Sequence, residues 1–232
     1  MRRLIALAVV VTAVPTAAEE RTWPVASFDR LRVEGPIDVD VTRGSPTARA
    51  AGDRATLTRL SIVREGMTLV VRLAGAPPAG LAAADATLAP VRVALATPRL
   101  AAVTHQGTGR VTVARLDGDR VDVAATGGGE VAVAAVETRL LAATIVGGGG
   151  ATLAGRAARA RLTLNGDGAV DAAALVADEA SVSLVGAGEI RAAARFAAQV
   201  VAGPAEGRVT VTGRARCAVR STGKAQVRCG AG

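Results

Sequence analysis

Aromatic side chains are almost missing. Trp23, Phe28 and Phe196 are the only three in 232 residues. A wide globular core normally uses Phe and Trp to bury area. Here half the residues are apolar, so a core is affordable, but Ala, Val and Leu must fill it, which suits a narrow interior. The same scarcity removes the stacking platforms of single-strand nucleic-acid binders, so no nucleic-acid partner is expected. Histidine occurs once, at His105. With no nucleophile motif beside it, no catalytic triad can be assembled. It is read as a solvated or hydrogen-bonded residue just before a corner. Calcium-binding repeats need an Asp at fixed spacing, G-G-x-G-x-D. Gly147 to Gly150 is followed instead by Ala151 and Thr152, and Asp167 and Asp171 do not recur in neighbouring repeats. Without stacked carboxylates there is no oxygen cage, so neither a metal nor a cofactor is expected.

After its first residues the sequence has no long apolar run. The start itself reads as an export signal. Arg2 and Arg3 precede the apolar stretch Leu4 to Val14, and Thr16-Ala17-Ala18 supplies small residues for cleavage after Ala18. The run is too short to span a bilayer, and no Cys follows it as a lipid anchor would need. Export to the periplasm or cell surface is therefore expected. Without Arg2 and Arg3, 26 basic residues face 20 acidic ones, a net charge of +6. That balance suits anionic surfaces such as lipopolysaccharide or acidic glycans. The basic residues are read as spread along the chain.

Against these absences stands a repeat. Glycine pairs recur at Gly107/Gly109, Gly127/Gly129, Gly147/Gly149, Gly166/Gly168 and Gly186/Gly188, in steps of 20, 20, 19 and 20. Looser versions are read at Gly203 and Gly223. Apolar residues align to the first glycine of each pair. Four after it come Val111, Val131, Ala151, Val170 and Ile190; six after it come Val113, Val133, Leu153, Ala172 and Ala192. Two before the next first glycine come Ala125, Ile145, Leu164, Leu184 and Val201. Four before come Val123, Ala143, Leu162, Val182 and Gln199, and six before come Val121, Leu141, Ala160, Ala180 and Ala197. Spacing by two is the strand period. Each repeat thus holds two short strands and a glycine corner. One coil cannot bury its apolar face, but stacked coils share a continuous core. The expected fold is all-β, a parallel β-helix (β-solenoid) of 20-residue coils. Six or seven coils at about 4.8 Å make a rod roughly 30 Å long. A β-propeller needs blades of about 40 residues, twice this period.

The N-terminal third keeps strand alternation without the period. Leu31 and Val33, then Ile37, Val39 and Val41, alternate with polar residues. Leu60 to Val63 and Met67 to Leu73 read as a hairpin around Glu65-Gly66. Residues 74–90 read as a loop or short helix, and Val91, Val93 and Leu95 resume a strand. The expected organisation is a signal peptide at 1–18, a β-cap region at 19–100 and solenoid repeats at 101–232. A cap would protect the end of the stack from edge-to-edge association.

The stretch from Phe28 to Val41, FDRLRVEGPIDVDV, with Gly44 after it, resembles the opening motif of a bacterial family, and the repeated G-x-G corners resemble that family's later part. The family is that of the putative auto-transporter adhesin, head GIN domain. The resemblance covers residues 28–229 and implies one continuous exported β-solenoid of unknown function. The family's corners usually read S-G-S-G-D. Here they read Gln106-Gly107-Thr108-Gly109-Arg110, Thr126-Gly127-Gly128-Gly129-Glu130 and Val185-Gly186-Ala187-Gly188-Glu189, so a Ser/Asp ladder is largely lost.

Two function classes remain. One is a non-enzymatic envelope module that binds or adheres, with an anionic envelope glycan or lipopolysaccharide as partner. The other is a polysaccharide-acting β-helix enzyme, for which Asp117, Asp119, Asp122, Asp167, Asp171, Asp178 and Glu179 supply the carboxylates. Glycoside hydrolysis needs two of them about 5 to 9.5 Å apart. An accessory to an envelope signalling system is a third use of the same module. No catalytic residue is assigned. Cys217 and Cys229 lie six before and six after Gly223, in inward columns of the last coil, where an oxidising compartment permits a disulfide.

Overall fold

The computed structural model describes residues 19–75 and 91–230. The sequence motif expected to direct export, and most of the loop expected at 74–90, lie outside these residues. The chain forms β1 (Glu19–Trp23), β2 (Arg30–Glu34), β3 (Ile37–Arg43), β4 (Thr47–Gly52), α1 (Arg54–Arg59), β5 (Leu60–Glu65), β6 (Thr68–Leu73), β7 (Val91–Thr97), β8 (Ala102–Gly107) and β9 (Arg110–Val113). It continues through β10 (Leu116–Gly127), β11 (Glu130–Val146), β12 (Gly150–Asn165), β13 (Ala169–Val185), β14 (Glu189–Ala202), β15 (Arg208–Thr212), β16 (Arg216–Ser221) and β17 (Gln226–Gly230). The architecture is a β-solenoid of about six turns, with coils about 20 residues apart.

From β8 onward the coils stack in chain order and in parallel. Val123 pairs with Val103 and with Ala143, Ala143 with Leu162, and Leu162 with Val182. The long strands β11, β12 and β13 run along one face, bend, and continue along the next. Their bends show as register shifts, between Val133 and Val136 for β11 on β12. The single 19-residue step is absorbed there. Gly155 stands opposite Val136 with φ +123°, and a Cβ on it would lie 2.2 Å from the Val136 carbonyl oxygen.

The inward columns read from the sequence are buried through β13. The column six before each corner shows the pattern: Val121, Leu141, Ala160 and Ala180 are at most 5% exposed. In β14 the reading slips by one residue. Ala197, Gln199 and Val201 were expected inside, but Ala198, Val200 and Ala202 are buried and Val201 is 51% exposed. A one-residue slip exchanges the two faces of a strand. The cause is Gly203, which is not a corner glycine. Gly207 takes that place, its Cβ direction blocked by the Gly186 and Gly188 carbonyls at 2.8 and 3.0 Å.

The N-terminal third contributes coils as well as a cover. β2 pairs in parallel with β8 on one side and β6 on the other, and β3 does the same with β9 and β7. The β2–β3 segment is therefore a full coil slotted between two that come later in the chain. Beyond it the pairing turns antiparallel: β5 lies on β6, β4 on β7, and β1 on β4. The hairpin read at Glu65-Gly66 is the β5–β6 connection, with Gly66 at φ +62°. Asp53 caps α1, accepting a hydrogen bond from the Thr56 amide at 2.9 Å.

Candidate functional site

The two glycines of each corner pair serve different ends. The first of each pair, from Gly107 to Gly186, has positive φ between 107° and 147°, a region open to glycine and costly for other residues. The second has ordinary φ but no room. A Cβ on Gly109, Gly149, Gly168 or Gly188 would lie 2.0 to 2.4 Å from a carbonyl oxygen of the preceding coil. That closeness lets corner amides bond upward, as Gly149 N–H does to Gly127 O at 2.9 Å and Gly168 N–H to Gly147 O at 3.1 Å. The paired glycines are a structural spine, and the polar residues between them, such as Thr108 and Asp167, do not repeat from coil to coil.

His105 is inside the core rather than in solvent. It is fully buried, pairs in register with Val33 and Ala125, and its Nε2–H donates to the Gly109 carbonyl at 2.9 Å. Nδ1 has no partner among the described residues. Burial lowers its pKa below the ordinary imidazole value. Its ring occupies the space that a side chain on Gly129 would need, 2.2 Å from that Cβ direction. The signal was available in the sequence, since His105 sits two before Gly107, in the same inward column as Ala125 and Ile145.

The outer face of the second half of each coil carries a groove of about 520 Å³. Strand register sets its composition. One outward row runs Arg120, Leu140, Arg159, Glu179, Ala197. The adjacent row runs Asp122, Ala142, Arg161, Ser181, Gln199. Small residues in both rows leave the depression, and arginines flank it. Phe196, 61% exposed, and Leu140, 42% exposed, border an adjoining hollow. Repeat spacing cannot predict this groove, because it depends on which outward residue each coil happens to carry.

Of the carboxylates considered for hydrolysis, Asp122, Asp171, Asp178 and Glu179 lie against arginines, whereas Asp117, Asp167 and Asp119, the last of which lines the adjoining hollow, have no ion pair among the described residues. Asp122 accepts two bonds of 3.0 Å from Arg120 Nε and one of 2.8 Å from its terminal nitrogen, which holds the Arg120 pKa above its ordinary value. Glu179 pairs with Arg159 at 3.3 Å and Asp178 with Arg195 at 3.2 Å. Asp171 lies 3.7 Å from Arg191. Arg161, in contrast, has no acidic partner within 4 Å among the described residues. Among the described residues no three His, Cys, Asp or Glu side chains converge as a metal site would require.

The basic residues are spread along the rod, but the net charge is not. Residues 19–206 hold 20 basic and 20 acidic residues, whereas residues 207–232 hold six basic residues and no acid. The entire surplus lies from β15 onward, with Arg208 on β15 and the other five on β16, β17 and their connections. Cys217 on β16 and Cys229 on β17 meet there, sulfur to sulfur, with Cα atoms 6.4 Å apart, within the span of a bridge. They follow Ala198 and Val211 in the inward columns. With no further coil stacked on them among the described residues, Cys217 is only half-buried and Cys229 is exposed.

Solved structures share this fold at low identity. A putative adhesin from Bacteroides fragilis superposes with a TM-score of 0.79 at 17% identity, covering 92% of this chain and 97% of that one. A putative adhesin from Parabacteroides merdae gives 0.70 at 18% identity, with 93% and 97% covered. A protein from Parabacteroides distasonis described as a putative lipid binding protein gives 0.70 at 15%, again with 93% and 97% covered. No curated protein matches. At the level of sequence, residues 27–215 match one family, and this chain belongs to that family, described as putative auto-transporter adhesin, head GIN domain.

Proposed function

We propose that the protein is an exported, non-enzymatic binding module of the cell envelope, and that its groove receives an anionic envelope glycan, including the polysaccharide of lipopolysaccharide. One observation carries this reading: consecutive coils present Arg120, Arg159, Arg161, Ser181 and Gln199 to a single depression. Coils repeat at about 4.8 Å, so the polar groups form a ladder along the rod, and a polymer lying along it meets each in turn. Arg161 supplies charge that no acid among the described residues pairs with. The exposed Phe196 and Leu140 offer apolar contact at one margin.

Several features favour binding over hydrolysis. Asp122, Asp178 and Glu179 are tied to arginines. A general acid or base must reach the substrate proton it transfers, and the oxygens of these three carboxylates already face arginine nitrogens. The similar solved structures are described as putative adhesins or a putative lipid binding protein.

Titration calorimetry with purified acidic polysaccharides and lipopolysaccharide, followed by reducing-end measurement on the same mixtures, tests the proposal. Binding is expected without release of new reducing ends. Arg159→Gln with Arg161→Gln is expected to weaken it about tenfold, as loss of charge-assisted hydrogen bonds does. Reducing ends that accumulate with time would replace this reading by the enzymatic one.

A further inference from the structure

The last coil differs from the rest of the rod in charge, exposure and pairing. Its strands β16 and β17 bond upward to β14 and β15. Among the described residues nothing pairs with their other edges, and the columns that are buried elsewhere come to the surface. Val219 continues the column of Val182 and Val200, which are 1% exposed, but is itself 45% exposed. Val227, Ala215 and Cys217 pack on the core from one side only. The result is an apolar floor the width of the solenoid interior.

Around that floor stand Arg214, Arg216, Arg220 and Arg228, all exposed and none with an acidic partner within 4 Å among the described residues. Lys224 is the one cation of this end with an acid beside it, Glu206 at 3.1 Å. An exposed apolar patch with a polar rim marks an interaction surface. The chemistry of the rim limits the partner. A second copy meeting this end symmetrically would set arginine against arginine. The opposite end of the rod is mixed in charge, with Glu19, Glu20 and Glu65 beside Arg21, Arg54 and Arg64, so it offers no acidic complement. A hydrophilic polymer leaves the apolar floor without a partner. Duplex nucleic acid does the same.

We propose that this open end, with its floor of Val219, Val227 and the paired cysteines and its rim of arginines, docks on the phosphate headgroups of an anionic lipid bilayer, with the rod projecting from it. Basic side chains bind the negative potential of such a surface, while shallow apolar contact reaches the boundary of the acyl region. Arg216 continues the groove's row beyond Ala197, but Val219, Val227, Arg220 and Arg228 lie outside the groove's lining, so Arg159→Gln with Arg161→Gln should leave vesicle binding unchanged and the two predictions stay distinguishable.

The test is co-sedimentation of the full chain with phosphatidylcholine vesicles, with or without about one-third phosphatidylglycerol. Binding is expected only to the anionic vesicles. It should fall steeply between about 0.1 M and about 1 M salt, where the screening length drops from about 10 Å to about 3 Å. Arg216→Gln, Arg220→Gln and Arg228→Gln together should lower partitioning about 100-fold. A matched triple change along the rod (Arg32→Gln, Arg49→Gln and Arg156→Gln) should lower it less than about fivefold. The apolar start of the chain is common to both variants, so their difference reads the end alone. Circular dichroism of both triples confirms folding, and Arg216→Lys with Arg220→Lys and Arg228→Lys should retain binding. Equal binding to neutral vesicles, equal loss in the two triples, or equally tight binding to duplex DNA would each overturn the proposal. So would unchanged vesicle binding with new self-association of the first triple in sedimentation velocity, because the arginines would then serve only to keep the sheet edge from pairing.

Discussion

Replacing Gly168 with alanine places a methyl group 2.0 Å from the Gly149 carbonyl oxygen and 3.1 Å from that of Gly147. Ordinary contact begins near 3.4 Å, so the coils must part by more than an ångström at this corner. Two interstrand hydrogen bonds sit at that point, Gly168 N–H to Gly147 O and Ala169 N–H to Gly149 O, both 3.1 Å. Their loss costs about 1 kcal/mol each, and overpacking adds about 2 kcal/mol, so the total is about 4 kcal/mol. For a chain of this size that lowers Tm by roughly 8 to 16 °C. Gly128 is the control. It lies in the middle of a corner, at ordinary φ, with only the Thr108 methyl near at 3.8 Å. Gly128→Ala is expected to change stability by less than about 0.5 kcal/mol. Thermal unfolding by circular dichroism compares the two in one buffer. Equal Tm shifts would refute the idea that the second glycine of each pair exists for carbonyl approach.

Three further outcomes follow from the same structure. His105 is neutral when folded and its pKa is lowered, chiefly by burial. As pH falls below about 6.5 the unfolded chain takes up a proton that the folded one resists, so urea midpoints should decline through that range, and His105→Gln should flatten the decline. Bridging Cys217 to Cys229, 12 residues apart, contributes about 3 kcal/mol in the chain-entropy picture; thiol titration of denatured, unreduced protein should find none, and two would refute the bridge. Export with cleavage after Ala18 predicts Glu19 as the first residue of protein recovered from a bacterial periplasm or surface, which intact mass reads directly.

The sequence alone determined the period, the all-β class and most of the core, because alternation by two and a repeated glycine corner are local properties. Val121, Leu141, Ala160 and Ala180 needed no coordinates to be placed in one column. Where local rules change phase, the reading failed: Gly203 resembles a corner, yet Gly207 is the one that meets the preceding coil's carbonyls. Only the tertiary structure decided which coils are neighbours. Alternation in β2 and β3 says that one face is buried but not against what, and their insertion between β6–β7 and β8–β9 is a long-range pairing. The groove and the apolar floor of the last coil also had to wait for the stack. Outward residues are free of packing constraints, so their meaning emerges only when register sets Arg120 beside Leu140 and Arg159, and when the last coil is left with its core uncovered.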